Sequence, residues 1–193
     1  DIYARDLDYL KYNSTYCQYP YVSLYTGRGC PARCTFCLWP QVTTGHSYRV
    51  RSVGNVLEEV SQMKRRFPKM KEIFFDDDTF TADPPRAREI AKGLGKLGIT
   101  WSTNSRANVD RETLAVLKDG GLRLFVVGYE SGNEQILKNI RKGVSVERAR
   151  RFTWSLTVVT DRRGVRPIVL GGDCEFTPAR LLVEDIGDDS ELR

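Results

Sequence analysis

From residue 21 to residue 152 the chain repeats one pattern: a short apolar run, a turn, then an amphipathic segment of helical period. The apolar runs are Tyr21 to Tyr25, Glu72 to Asp76, Ile99 to Thr103 and Leu122 to Gly128. Each is too short for a helix and reads as a buried strand. Between them, Ser52 caps a segment with Val53, Val56, Leu57, Val60, Met63 and Phe67 at helical spacing, closed by Pro68. Asp83 and Pro84 open a second, with Ala87, Ile90, Ala91, Leu94 and Leu97 on one face and Gly98 at its end. Gly93 and Gly95 inside it each weaken helix propensity by about 1 kcal/mol against alanine, so packing has to hold that helix. Asp110 caps a third, carrying Leu114, Val116 and Leu117 and stopped by Gly120-Gly121. Asn133 to Arg141 forms a fourth, burying Ile136, Leu137 and Ile140, and Ser145 begins a fifth with Val146, Ala149 and Phe152 inward. Strands alternating with helices at this spacing dictate βα units and a parallel sheet. Right-handed crossovers wound in one direction curl such units toward a barrel. The expected fold class is therefore α/β, a partial (β/α) barrel of about four to five βα units.

After Phe152 the texture changes. Trp154 to Thr160 is β-like where a helix should continue, and Val165 to Leu170 reads as a fifth strand. Asp173 to Arg193 is acidic and poorly periodic, and low order is expected there.

The loop after the first strand is Gly27-Arg28-Gly29-Cys30-Pro31-Ala32-Arg33-Cys34-Thr35-Phe36-Cys37. Gly27 and Gly29 free the backbone to turn, and three cysteines stand at C-x3-C-x2-C spacing. Thiolates this close can wrap one metal centre. Structural zinc takes four protein ligands, and no histidine follows at finger spacing. A cubane iron–sulfur cluster bound by three cysteines leaves one iron open to a substrate or cofactor. The loop also leaves the C-terminal end of a strand, where parallel α/β folds place their active sites.

Composition narrows the classes. The 193 residues are about one domain's length, and 40% are hydrophobic. No run approaches the roughly 18 apolar residues of a membrane span, and no signal peptide is read at the start. The net charge of +5 is spread over amphipathic helices and reads as solvated surface, so no nucleic-acid partner is expected. Five cysteines, an odd count with a tight triplet, argue for a reducing, cytoplasmic setting. Cys17 stands apart and reads as a partly buried free thiol.

The cysteine spacing, with Phe36 before the last cysteine and directly after the first strand, resembles the radical S-adenosylmethionine (radical SAM) superfamily. The resemblance implies that Cys30, Cys34 and Cys37 bind a 4Fe–4S cluster, with S-adenosylmethionine on the open iron and Phe36 near the adenine. The activity it implies is reductive cleavage of S-adenosylmethionine to a 5′-deoxyadenosyl radical. Phe75-Asp76-Asp77-Asp78-Thr79-Phe80 is similar to the acidic D-D-x-F run of the cobalamin-associated class, which receives the methionine ammonium. Strand alternation favours Asp77 and Asp78 ahead of Asp76. Gly128-Tyr129-Glu130-Ser131-Gly132-Asn133 resembles the G-x-E-S-G segment after strand four, which makes Glu130 and Ser131 cofactor contacts. Asn104 and Arg106 close strand three and are candidate cofactor contacts facing the site. Arg106 is a candidate for a carboxylate or phosphate. Arg141 and Lys142 complement the preceding helix dipole, and His46 reads as surface.

Residues 21–152 also resemble the hopanoid-biosynthesis branch of that superfamily. The branch implies ring contraction of a sugar headgroup on a hopanoid lipid. Within the superfamily a methyltransferase or methylthiotransferase is the alternative, and a non-catalytic metal-binding module is the second. The implied partners are a small-molecule or lipid-headgroup substrate and an external electron donor of flavodoxin or ferredoxin type, with room for peripheral membrane contact. The class carries an N-terminal cobalamin-binding domain. Residues 1–20 read as the linker that would follow it, 21–152 as the N-terminal half of the core, and 153–193 as an atypical tail, truncated or frame-shifted. Leu170, Gly172 and Glu175 faintly echo an adenine-contacting pattern.

Overall fold

The computed structural model describes residues 5–42, 45–160 and 166–169, the last four and 157–160 as backbone only. Five strands form one sheet: β1 (Tyr21–Leu24), β4 (Glu72–Phe75), β5 (Trp101–Arg106), β6 (Leu122–Gly128) and β7 (Arg166–Val169). They lie side by side in chain order and every pairing is parallel. This one-directional winding is that of a barrel wall left open. Two short strands, β2 (Gly27–Arg28) and β3 (Arg49–Val50), pair antiparallel beside it.

The helices are α1 (Trp39–Val42), α2 (Val53–Arg66), α3 (Pro84–Leu97), α4 (Arg111–Asp119), α5 (Glu134–Asn139) and α6 (Val146–Thr160). Ser52, Asp83, Asp110 and Asn133 each accept a backbone N–H at a helix start, as their sequence positions require. Gly98 ends α3 at φ 63°, a left-handed position suited to glycine. Among the described residues no helix is long and apolar enough to cross a membrane.

Strand alternation divides the sheet. Ile73, Phe75, Trp101, Phe125 and Val127 face the helices and pack with Phe80, Ile90, Leu94, Leu114 and Leu117 into the main core. Full burial of each large apolar side chain contributes about 1.5–3 kcal/mol. Phe74, Leu124 and Val126 face the other way, toward the barrel interior. Two helix glycines have a packing reason. A Cβ on Gly93 would meet Leu57 Cδ1 at 2.3 Å, and one on Gly95 would meet the Gly120 Cα at 3.2 Å. Both let neighbouring helices close up.

Three expectations are corrected. Trp154 to Thr160 is helix, not strand-like. Ala149, Phe152, Thr153 and Leu156 are buried at helical spacing, and that packing overrides the β-branched propensity of the last turn. The first strand is an edge strand, and Tyr25 beyond it is 40% exposed rather than buried. Ile136 points outward at 42% exposure, because α5 is a short helix that buries Leu137 alone. Residues 14–18, within the stretch read as linker, pack on the interior face of the sheet. Tyr16 stacks edge-on against Phe74 at 5.6 Å. Tyr16 O accepts from Arg123, and the Gln18 N–H donates to Glu72. Buried Glu72 pairs with Arg123 at 2.9 Å and accepts from the Ser102 hydroxyl. This polar knot floors the interior. The fifth strand read at Val165 to Leu170 is present as β7, while Leu170, Gly172, Glu175 and the acidic stretch lie outside the described residues.

Candidate functional site

The parallel register sets four strand ends on one rim: Leu24 beside Phe75, Phe75 beside Thr103, and Arg106 beside Gly128. The cysteine loop leaves β1, the three aspartates leave β4, Asn104 and Arg106 end β5, and Glu130 follows β6.

The loop is held from three sides. At its base the Thr26 N–H and hydroxyl both donate to Asp77, at 2.6 and 2.5 Å. Arg86 of α3 donates to Thr26 O at 2.7 Å and to Arg51 O. At the first turn Gly29, at φ 90°, donates its N–H to Asp78 Oδ2 at 2.6 Å. Further along, the Thr35 N–H donates to Ile140 O at 2.9 Å, beyond α5. The exposed His46 closes against Ala32 O at 2.8 Å.

Within this frame Cys30, Cys34 and Cys37 are partly exposed and unpaired by disulfide. Burial pushes the Cys37 thiol up, and Cys30, Cys34 and Asp78 nearby push the same way. Arg106 donates to Cys34 Sγ at 3.7 Å and to Lys142 O. Lys142 is buried, its ammonium 2.8 Å from Glu130 Oε1 and 5.9 Å from the centroid of Phe36.

The sequence-predicted residues therefore separate. Cys30, Cys34, Cys37, Phe36, Asp78, Arg106 and Glu130 gather around the loop and its Lys142 partner. Asp77 is the correction. Its side chain is fully buried and both oxygens serve Thr26, so it braces the loop from below rather than facing the rim. Burial raises its pKa above the ordinary carboxylate value against the pull of Thr26, Gly27 and Arg86. Asp76, ranked behind it, is partly exposed, as Asp78 is. It accepts from the Tyr25 hydroxyl at 2.9 Å and from Asn104 Nδ2 at 3.3 Å. Burial and that bond raise the Tyr25 pKa. Ser131 is buried, and its hydroxyl accepts from the Asn133 N–H at 3.0 Å. Phe36 is 53% exposed beside Leu38 and Trp39.

Sequence reasoning missed Arg86, and it read Lys142 only as a dipole partner. Both left a signal. Arg86 precedes Ala87 and Ile90 on the buried stripe of α3, where a charge needs a buried partner. Lys142 precedes Gly143 at φ 68°, a turn that carries it back toward β6. Cys17 is partly buried, as expected for a free thiol, and burial pushes it up to about 11.

The donor set fits an iron–sulfur cluster better than a lone ion. The loop from Gly27 to Cys37 offers three thiols, Cys30, Cys34 and Cys37, and no fourth cysteine or histidine. A cluster takes one thiolate per iron and so needs its ligands spread around it, whereas zinc needs four on one centre. Cys30, Cys34 and Cys37 would hold such a cluster, which supplies a low-potential electron and an open iron. The chain's own residues fix the loop, carry opposite charges along the rim and aim a guanidinium at one thiol.

The radical SAM superfamily model matches residues 24–153. An uncharacterized methyltransferase of Pyrococcus horikoshii is 36% identical, covering 67% of this chain and 28% of that protein. The bacteriochlorophyllide d C-12(1)-methyltransferase of Chlorobaculum tepidum is 37% identical, over 60% of this chain and 26% of its own length. The hopanoid C-3 methylase of Methylococcus capsulatus is 30% identical, over 74% and 28%. The chain thus spans little more than a quarter of the curated relatives it matches. In fold it is similar to the cobalamin-dependent S-adenosylmethionine radical enzyme OxsB with aqua-cobalamin bound, at TM-score 0.67 and 23% identity, covering 76% of this chain and 23% of that one. With a 4Fe–4S cluster and S-adenosylmethionine as the cofactors its cysteine motif serves, the chain belongs to the radical SAM superfamily.

Proposed function

We propose that this chain is part of the catalytic core of a radical SAM methyltransferase of the cobalamin-associated class. The observation that carries the reading is the three-cysteine loop on a charged strand-end rim, in a chain whose similar curated proteins are mainly methyltransferases, with a methylthiotransferase and a cyclase beside them. That pattern favours methyl transfer over the sugar ring contraction expected from the hopanoid resemblance. The relative with a hopanoid in its name is itself a methylase. Cobalamin as methyl carrier is supported by the fold of a cobalamin-dependent neighbour and by the acidic run after β4. The electron comes from an external flavodoxin- or ferredoxin-type donor, in a cytoplasmic, reducing setting. The substrate is a small molecule or a lipid headgroup. Asp76, Asp78 and Glu130 are the rim carboxylates nearest to receive an ammonium or hydroxyls, once Lys142 shares Glu130.

Product bookkeeping tests the reading. Methyl departure from the sulfonium leaves S-adenosylhomocysteine. One-electron reductive cleavage would leave methionine and a 5′-deoxyadenosyl radical, which becomes 5′-deoxyadenosine by taking a hydrogen atom from the substrate. In the gene product that carries this chain, reconstituted anaerobically with cobalamin and given reductant, both nucleoside products are expected, and Cys34→Ala loses the 5′-deoxyadenosine. Formation of 5′-deoxyadenosine with no S-adenosylhomocysteine overturns methyl transfer and returns the ring-contraction reading.

A further inference from the structure

Arg106 was expected to meet a carboxylate or phosphate on cofactor or substrate. In the structure its guanidinium is already engaged. One nitrogen donates to Cys34 Sγ at 3.7 Å and another to the Lys142 carbonyl. Among the described residues no carboxylate pairs with it, while the neighbouring Lys142 ammonium is matched to Glu130. A fixed positive charge is thus turned on one member of the cysteine triplet and held there by main chain.

We propose that Arg106 sets the reduction potential of the cluster by donating an N–H···S hydrogen bond to the Cys34 thiolate. This rests on the reading of Cys30, Cys34 and Cys37 as cluster ligands. Hydrogen bonds to cluster sulfurs and net charge are among the main controls of such potentials. Reduction adds one electron from a low-potential one-electron donor, and the cluster with its three thiolates gains one negative charge. A nearby guanidinium stabilises that added charge and raises the potential. Lys142 plays two parts. Its carbonyl orients Arg106, and its ammonium neutralises Glu130, which would otherwise offset the guanidinium. Cys34 is the ligand that feels the charge most directly. Arg106 acts through that ligand and is a positioning residue rather than a catalytic one.

The test is a potentiometric titration of the anaerobically reconstituted chain, followed by the electron paramagnetic resonance signal of the reduced cluster. Wild type, Arg106→Gln and Arg106→Lys are compared at equal iron and sulfide content. At a fixed potential Arg106→Gln is expected to show about a tenfold lower ratio of reduced to oxidised cluster, taking the lower end of the about 10–100-fold that loss of a ligand's hydrogen-bonding partner costs in metal affinity or activity. That corresponds to about 59 mV for one electron. Arg106→Lys, which keeps the charge, is expected to restore most of it. With 15N-arginine labelling, pulsed resonance of the reduced wild-type cluster should show a guanidinium nitrogen coupling, and this needs no variant. Arg106→Gln with full iron and an unchanged potential overturns the proposal and leaves the cluster reading intact. So does absence of the nitrogen coupling. An unchanged potential with weakened S-adenosylmethionine binding returns Arg106 to the cofactor. Wild type that takes up no iron overturns both this proposal and the cluster reading.

Discussion

Lys142 Nζ lies 2.8 Å from Glu130 Oε1, and Glu130 sits at φ 69°, a left-handed conformation uncommon outside glycine. The pair joins the turn after α5 to the end of β6 and holds that conformation. Lys142→Met removes the partner and leaves Glu130 half-buried and unpaired. The expected loss is about 2 kcal/mol, the scale of a hydrogen bond to a charged group. Urea denaturation should show a lower midpoint at unchanged slope. An unaltered midpoint means the pair is dispensable.

Asp77 gives a pH signature. Burial holds its folded-state pKa above the unfolded value. Between those two values the folded chain binds more protons than the unfolded one, so stability falls as pH rises through the window. The contribution is fully present below the unfolded pKa and lost above the folded one. Asp77→Asn cannot titrate. The difference in unfolding free energy, wild type minus Asp77→Asn, should therefore decrease from the acid end of the carboxylate range upward. A difference that grows with pH contradicts the burial described for Asp77.

Two glycines should respond differently to alanine. A Cβ on Gly120 would meet the Ala91 backbone oxygen at 2.4 Å, and backbone cannot swing aside. Gly120→Ala is expected to cost at least about 2 kcal/mol by overpacking. At Gly93 the obstacle is the end of the Leu57 side chain, which is only partly buried. There the gain in helix propensity of about 1 kcal/mol offsets the crowding, and Gly93→Ala should fall within about 1 kcal/mol of wild type. Thermal or urea unfolding of the two variants side by side decides it.

Cys17 should be slow to alkylate. Burial first, with Glu72 second, lifts its thiol from 9.0 to about 11. That is about a hundredfold less thiolate at pH 8, since each unit is tenfold. Iodoacetamide labelling read by peptide mass spectrometry should modify Cys17 far faster in urea than in the folded chain. Equal rates in both would remove the burial argument.

Much of the fold was legible because period and punctuation agree. Ser52, Asp83, Asp110 and Asn133 mark helix starts and apolar runs mark strands, so the winding follows from order alone. The last turns of α6 were not legible. Thr157, Val158 and Val159 favour strand locally, and it is the tertiary packing of Ala149, Phe152, Thr153 and Leu156, with Phe125 and Tyr129 near Phe152, that reveals the helix. At the site the cysteine spacing was readable, because three thiols in eight residues leave few alternatives. The division of labour among Asp76, Asp77 and Asp78 was not. Strand alternation cannot be carried past Phe75, where the chain leaves the sheet and Thr26 captures the middle carboxylate. Lys142 and Arg86 act across long sequence separations, which no local pattern encodes.

The bracing of the cysteine loop bears on how iron enters. Thr26 on Asp77, Gly29 on Asp78 and Thr35 on Ile140 fix the loop's path with bonds that involve no cysteine. In a zinc finger the metal does the folding, and a chelator unfolds the domain. Here part of the loop's ordering entropy is met by bonds of the protein's own. The sheet and these bonds are built without the thiols, so the fold does not rest on the metal in the way a zinc finger's does.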